Sequence, residues 1–303
     1  MNALGKGLLA VTEWPRMRRA ITSGRTGRRL SLRFVAGETL AEALAVTRDL
    51  NSRGASVSLD HLGEHVTDAA EATRARDDYL AALAEIAATG VTANVSVKLT
   101  QLGLGFDRDL AAASLGAIAR AAVDADTTVT VDMEESEHAE STIAAYEKAQ
   151  VEHGNLGIAL QAYLHRTPDD LDRLLPLGGH IRLCKGAYAE PPDVALQERS
   201  AVNGAFDELL GTLMATPGVM PAIATHDGDR ISVARYTGTD RDAEWEMQML
   251  YGVRNQLQQE LIDEGIPLRI YVPYGDAWYP YLTRRLAERP ANLAFFVRAA
   301  AGR

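Results

Sequence analysis

The sequence predicts an α/β protein, a (β/α)8 barrel of the TIM type with an N-terminal helical extension. Three observations point there. Short runs rich in β-branched and aromatic residues alternate with longer helical stretches along the chain. Eight such runs recur at roughly 25–40-residue intervals, which suits a closed barrel better than an open sheet. At 303 residues, the chain has the length that one such barrel fills alone.

Residues 1–54 read as helical decoration packed on the barrel, and 55–303 as the barrel itself. The first stretch, 1–29, carries Lys6, Arg16, Arg18, Arg19, Arg25, Arg28 and Arg29 against Glu13 alone. A basic, partly apolar segment of this kind is either a solvated extension or a peripheral contact with an anionic membrane face. GKGLLA (5–10) matches a dinucleotide-loop pattern, but no strand precedes it, so the match is read as chance. A helix is expected from Thr39 to Gly54.

The barrel runs follow: VSLDHLG (57–63), VSVKL (95–99), VTVDM (129–133), IALQAY (158–163), IRLCKG (181–186), AIATHD (222–227), EWEMQML (244–250) and RIYVPYG (269–275). The run at 244–250 would also suit a helix. Between the runs, 69–90, 137–154, 168–179, 200–213 and 255–264 have helical character. The first places Tyr79, Leu80, Leu83 and Ile86 on one face and stops at Gly90, which suits the left-handed cap of a helix end.

Composition narrows the function. The chain is 47% apolar and 24% charged, with a net charge of −10, which disfavours a general nucleic-acid binder. No apolar run is long enough for a signal peptide or a membrane span, so a cytoplasmic protein is expected. Cys184 is the only cysteine; no intrachain disulfide can form, and a packed thiol is expected rather than a nucleophile. His61 and His65 straddle a glycine and make a poor metal pair. No metal site is expected.

Barrels of this kind place their chemistry at the C-terminal ends of the strands. Reading only those ends collects Lys98, Asp132, Gln161, Arg182, Lys185, Thr225 and His226. Tyr271 lies on the last strand, and Arg284 and Arg285 lie beyond it. Any one of these charges could be a structural ion pair, but so many at one end argue for a site that binds and orients anions. KGA (185–187) ends a strand on small residues, as a phosphate or flavin neighbour requires. Arg182 suits a place beside a flavin's reactive edge. The guanidinium forks of Arg284 and Arg285 match a carboxylate.

Six motifs in register, VSVKL, VDMEES, LQAYLHRT, IRLCKGAY, ATHD and RIYVPYGDAWYPYLTRRLAE, resemble the flavin-dependent proline dehydrogenases from about residue 55 to 298. The resemblance implies a distorted barrel that binds FAD, oxidises L-proline to Δ1-pyrroline-5-carboxylate and passes electrons to a membrane quinone. It implies that Arg284 and Arg285 grip the proline carboxylate beside Lys98, that Tyr271 and Tyr281 pack on the ring, and that Glu64 closes over the site by pairing with one of the two arginines. Asp132 would hold the hydrogen bonds around Lys98, and Arg182 would lie by flavin N5. Met133, Gln161, Lys185, Gly186, Ala187, Thr225 and His226 would line the FAD. Two departures stand out: Met133 replaces a residue that is often small, and Asp227 stands where many relatives carry Asn. The expected type is monofunctional, handing its product to a separate pyrroline-5-carboxylate dehydrogenase. Hydroxyproline oxidation is the nearer alternative, and a flavin barrel of the methylenetetrahydrofolate reductase type the more distant one.

Overall fold

The computed structural model describes residues 32–279 and Tyr281. Eight parallel strands, β1 (Ser56–His61), β2 (Ala93–Val97), β3 (Val129–Val131), β4 (Leu156–Gln161), β5 (Gly179–Cys184), β6 (Val219–Ala224), β7 (Glu246–Leu250) and β8 (Leu268–Tyr274), hydrogen-bond in sequence order and close into a barrel. β8 returns to β1 with Ser58 opposite Tyr271. The ambiguous run at 244–250 is therefore a strand.

Helices pack outside: α1 (Leu40–Ser52), α2 (Ala69–Thr89), α3 (Arg108–Asp124), α4 (Ser136–His153), α5 (Thr167–Leu174), α6 (Arg199–Ala215), α7 (Gly228–Thr239) and α8 (Asn255–Asp263). Local chemistry sets their ends. Thr39 and Glu42 form a reciprocal capping box at the start of α1. Asp68 caps α2, which stops at Gly90 in the left-handed region, φ 64°. The sequence had not singled out α3 or α7. The α3 face is built largely of small residues, Ala111, Ala119 and Ala122 beside Leu115 and Ile118. Their weak hydrophobic contrast hides its period. In α7 only Ile231 and Ala234 are buried; packing against α6 and the Asp227 cap compensate for poor intrinsic propensity.

The apolar core lies between strands and helices. Val57, Val95, Val129, Ile158, Ile181, Ile223, Met247 and Ile270 belong to it together with Leu83, Leu115, Ile143 and Phe206 from the helices. The alternate strand residues point into the barrel and are mostly polar, as their bonds across it show. Ser58 donates to Asn94 (2.6 Å), Asn94 to Thr130 (3.2 Å), and Thr130 Oγ1 meets His180 Nε2 (2.6 Å). Gly157 leaves the His180 ring its room, because a Cβ there would overlap it. Within this interior, Asp60, Asp132 and Glu246 are paired with Lys98, Arg182 and Arg269. Buried charges persist only when matched in this way.

α1 packs on both β1 and β8. Just beyond β8, Trp278, Tyr279 and Tyr281 cluster with Phe34, Val35 and Leu62 at the mouth. Residues 33–37 lie there as a strap. Ala36 N donates to Pro273 O (2.9 Å), and Gly275 N to Gly37 O (3.0 Å). Under the strap, Gly252 has φ 72°, and a Cβ on it would overlap the Arg33 carbonyl, so no side chain fits.

Candidate active site

One cavity of about 470 Å³ opens at the C-terminal ends of the strands. The strand-end and loop residues singled out in the sequence converge on it. Glu64, Lys98, Asp132, Met133, Gln161 and Arg182 line it from the first half of the barrel and β5. Lys185, Gly186, Ala187, Thr225, His226, Tyr271 and Tyr281 complete the wall. Arg284 and Arg285 fall outside the described residues, as do GKGLLA and the basic stretch 1–29.

The floor is a closed network. Lys98 Nζ donates to Asp60 Oδ1 (2.7 Å), Asp132 Oδ2 (3.1 Å) and Tyr271 Oη (3.1 Å). Tyr271 donates to Asp132 Oδ2 (2.7 Å). Arg182 donates through Nη1 to Asp132 Oδ1 (2.5 Å) and Ser96 Oγ (2.9 Å), and through Nε to Gln248 Oε1 (2.5 Å). An ammonium has three donors, so Lys98 has none left over. Arg182 does: its buried Nη2 has no hydrogen-bond partner among the described residues, and neither does Asp60 Oδ2.

Electrostatics follow from these distances. Burial opposes the Lys98 charge, yet Asp60, Tyr271 and Asp132 overcome it and hold its pKa well above the ordinary lysine range. For Asp132 burial is outweighed by Lys98 and Arg182, so its carboxyl is lowered and stays ionised. Burial raises the Asp60 carboxyl; Lys98 opposes that shift and Asp132 adds to it. The Tyr271 phenol is raised by burial and then by the two carboxylates, and stays protonated.

On the far wall, Lys185 Nζ donates to Asn203 Oδ1 (2.5 Å) and Asp227 Oδ2 (2.6 Å). Asp227 also caps α7. Its carboxyl is lowered, chiefly by the Lys185 hydrogen bond, so its negative charge is neutralised locally. Gly186 has φ 120°, and a Cβ there would overlap the Tyr163 ring. Cys184 lines the cavity, but burial pushes its thiol up to about 11 and Sγ donates to Leu160 O (3.3 Å); it is a packed thiol. His61 and His65 do not converge: His61 packs against Tyr274, and His65 faces Glu135.

Sequence reading missed Asp60, Ser96 and Gln248. The signal for Asp60 was present: it is the last residue but one of β1, two after the inward Ser58 by the two-residue period of a strand. Gln248 was hidden by the ambiguity of its run.

A parallel (β/α)8 barrel with fixed charges and one cavity at the C-terminal strand ends defines a barrel enzyme. Comparison with known proteins narrows the class. The proline dehydrogenase family profile matches residues 43–298. Proline dehydrogenase 1 of Bacillus subtilis (strain 168) is 38% identical over 269 residues, 88% of this chain and 89% of its own. The proline dehydrogenase of Deinococcus radiodurans is 35% identical over 303 residues, 97% of this chain and 96% of its own. The solved structure of proline utilization A from Bdellovibrio bacteriovorus shares the fold, with TM-score 0.82 at 21% identity. The match covers 95% of this chain and 36% of that longer one. The chain belongs to the proline dehydrogenase family.

Proposed function

We propose that this chain binds FAD and oxidises L-proline to Δ1-pyrroline-5-carboxylate, delivering the electrons to a quinone. The observation that carries this reading is the Lys98–Asp132–Tyr271–Arg182 network at the base of the strand-end cavity.

The residues fit a flavin. The buried Arg182 Nη2 has no partner among the described residues; Lys185, Thr225 and His226 supply polar groups on the opposite wall, and Met133, Ala159 and Ala224 supply apolar surface. Arg182, Lys185, Thr225 and His226 would hold the FAD, whose chemistry would be the uptake of the hydride from proline C5. Arg182 would stabilise the negative charge that this brings. Asp132 ties Arg182 to Lys98 and Tyr271, so these three side chains keep one relative geometry. Lys98 has no free donor and acts by its charge, which disfavours the ammonium form of a nearby amine and so favours the neutral amine that imine formation needs. Tyr271 and Tyr281 cover the ring. Arg284 and Arg285 hold the carboxylate as a guanidinium pair, with Glu64 closing against one of them.

Residues 1–54, of which 32–54 are described, are assigned as decoration rather than as a separate unit. The packing of α1 on β1 and β8 supports this. Among the described residues no helix is long and apolar enough to cross a membrane; quinone reduction then calls for a peripheral contact, for which the basic stretch 1–29 is suited.

The test is anaerobic mixing of the purified protein with L-proline while the flavin absorbance is followed. Bleaching is the expected result. A yellow protein bleached only by hydroxyproline or by a nicotinamide donor, or a colourless protein that FAD does not reconstitute, would overturn the reading.

A further inference from the structure

The loops after β1, β2 and β3 meet at Glu134, a side chain with no assigned part so far. It is 1% exposed and does not line the cavity. Its carboxylate accepts from Thr100 N (3.0 Å) and from the Thr100 hydroxyl. Thr100 Oγ1 in turn accepts from His65 N (3.3 Å). His65 is a non-glycine residue in the left-handed region, φ 52°, a conformation that persists only where its surroundings impose it. His65 directly follows Glu64, and Thr100 lies two residues after Lys98. The main-chain carbonyl of Glu134 accepts from Gln161 Nε2 (2.8 Å). One residue therefore connects the segments carrying Glu64, Lys98 and Gln161, all of which line the cavity.

The ionised carboxylate suits this place, because both facing Thr100 groups donate to it. Protonation would turn one of its oxygens into a donor, and the Thr100 hydroxyl, which already accepts from His65 N, would have to turn and accept from it instead. Burial pushes the carboxyl up to about 7 against the two Thr100 hydrogen bonds and Lys98, with Glu64 adding to the rise. The Thr100 donors thus oppose the rise that burial imposes.

We propose that Glu134 is a positioning residue: through Thr100 and His65 it fixes the substrate-side groups Lys98 and Glu64 against the cofactor-side Gln161. The inference rests on the proline-oxidation reading. It assigns the side chain to substrate placement, because the link to Gln161 runs through the main chain and survives substitution.

The experiment compares steady-state kinetics and FAD affinity of the FAD-loaded wild type, Glu134→Gln, Thr100→Val and the double variant. Each single substitution is expected to raise the KM for proline about tenfold, the worth of one hydrogen bond to a charged group, with kcat and the FAD dissociation constant little changed. The double variant should be no worse than Thr100→Val, which already removes the hydroxyl through which Glu134 reaches His65. An unchanged KM, a kcat that falls as far as KM rises, or additive effects would overturn the inference. Thr100→Val alone, with the same expected split, decides the matter should Glu134→Gln not fold. A wild type that did not oxidise proline would remove the underlying reading; an active wild type with variants of unchanged KM would overturn the inference alone.

Discussion

Lys98 Nζ and Asp60 Oδ1 lie 2.7 Å apart inside the barrel, both almost fully buried. This pair, unremarked in the sequence, is the largest support of the lysine's charge. Asp60→Asn keeps the shape and removes the charge, leaving Lys98 with Asp132 as its remaining ionic partner. Breaking a buried pair from one side costs about 3 kcal/mol or more. Urea denaturation of the two proteins should show a loss of that order; an equal midpoint and slope would mean that Asp60 is already neutral.

Arg182 offers its donors unequally, with Nε and Nη1 engaged and Nη2 without a partner among the described residues. Arg182→Ala should slow flavin reduction at saturating proline by about a hundredfold or more, as loss of a charge-stabilising donor does, while proline affinity changes less. Stopped-flow reduction reads this directly, and a normal rate would refute the role.

For Arg284 and Arg285 the prediction comes from chemistry rather than from described geometry. Arg284→Met or Arg285→Met should raise the KM for proline about ten- to a hundredfold, the range for losing hydrogen bonds to a carboxylate. The protein should stay yellow. An unchanged KM would return the pair to a solvated charge run.

His180 gives the protein an acid limit. Burial, with Arg269 and Arg182 adding, lowers its pKa to about 3, whereas in the unfolded chain it titrates near 6.5. The unfolded state therefore binds the proton first. The His180 contribution is fully present above about pH 6.5 and is lost as pH falls toward 3, by about 5 kcal/mol in total. Glu134 runs the other way: its folded pKa is about 7, so it favours the native state as pH falls to about 4.5. The stability of wild type minus that of His180→Gln should be constant above pH 6.5 and fall below it. A difference that stays level through acid pH would show that His180 is protonated in the native state.

Much of this was legible in the sequence because strands and strand ends carry strong local signals. The polar residues read at the ends, from Lys98 to Tyr271, do line one cavity. Two kinds of feature were not legible. Asp60 and Lys98 are neighbours only because β1 and β2 pair with Asp60 opposite Ser96, a register that residue spacing does not reveal. The saturation of Lys98 by three acceptors is a matter of distances; the sequence can suggest a substrate-facing lysine but cannot count its free hydrogens. Likewise α3 was obscured by an alanine-rich face, and Glu134, inside the quoted VDMEES, drew no notice because its partner Thr100 lies on the preceding loop.

The strap over the mouth has a consequence for biosynthesis. Phe34 and Val35 are made before any barrel strand, yet their partners Trp278, Tyr279 and Tyr281, and the Pro273 carbonyl that accepts from Ala36, come after nearly all of it. On the ribosome those early residues have nothing to hold. The cover over the cavity is completed only when β8 has emerged and the ring has closed, so a half-made chain has neither a floor, which needs Tyr271, nor a roof. The proposed flavin would thereby be captured stably only by the finished protein.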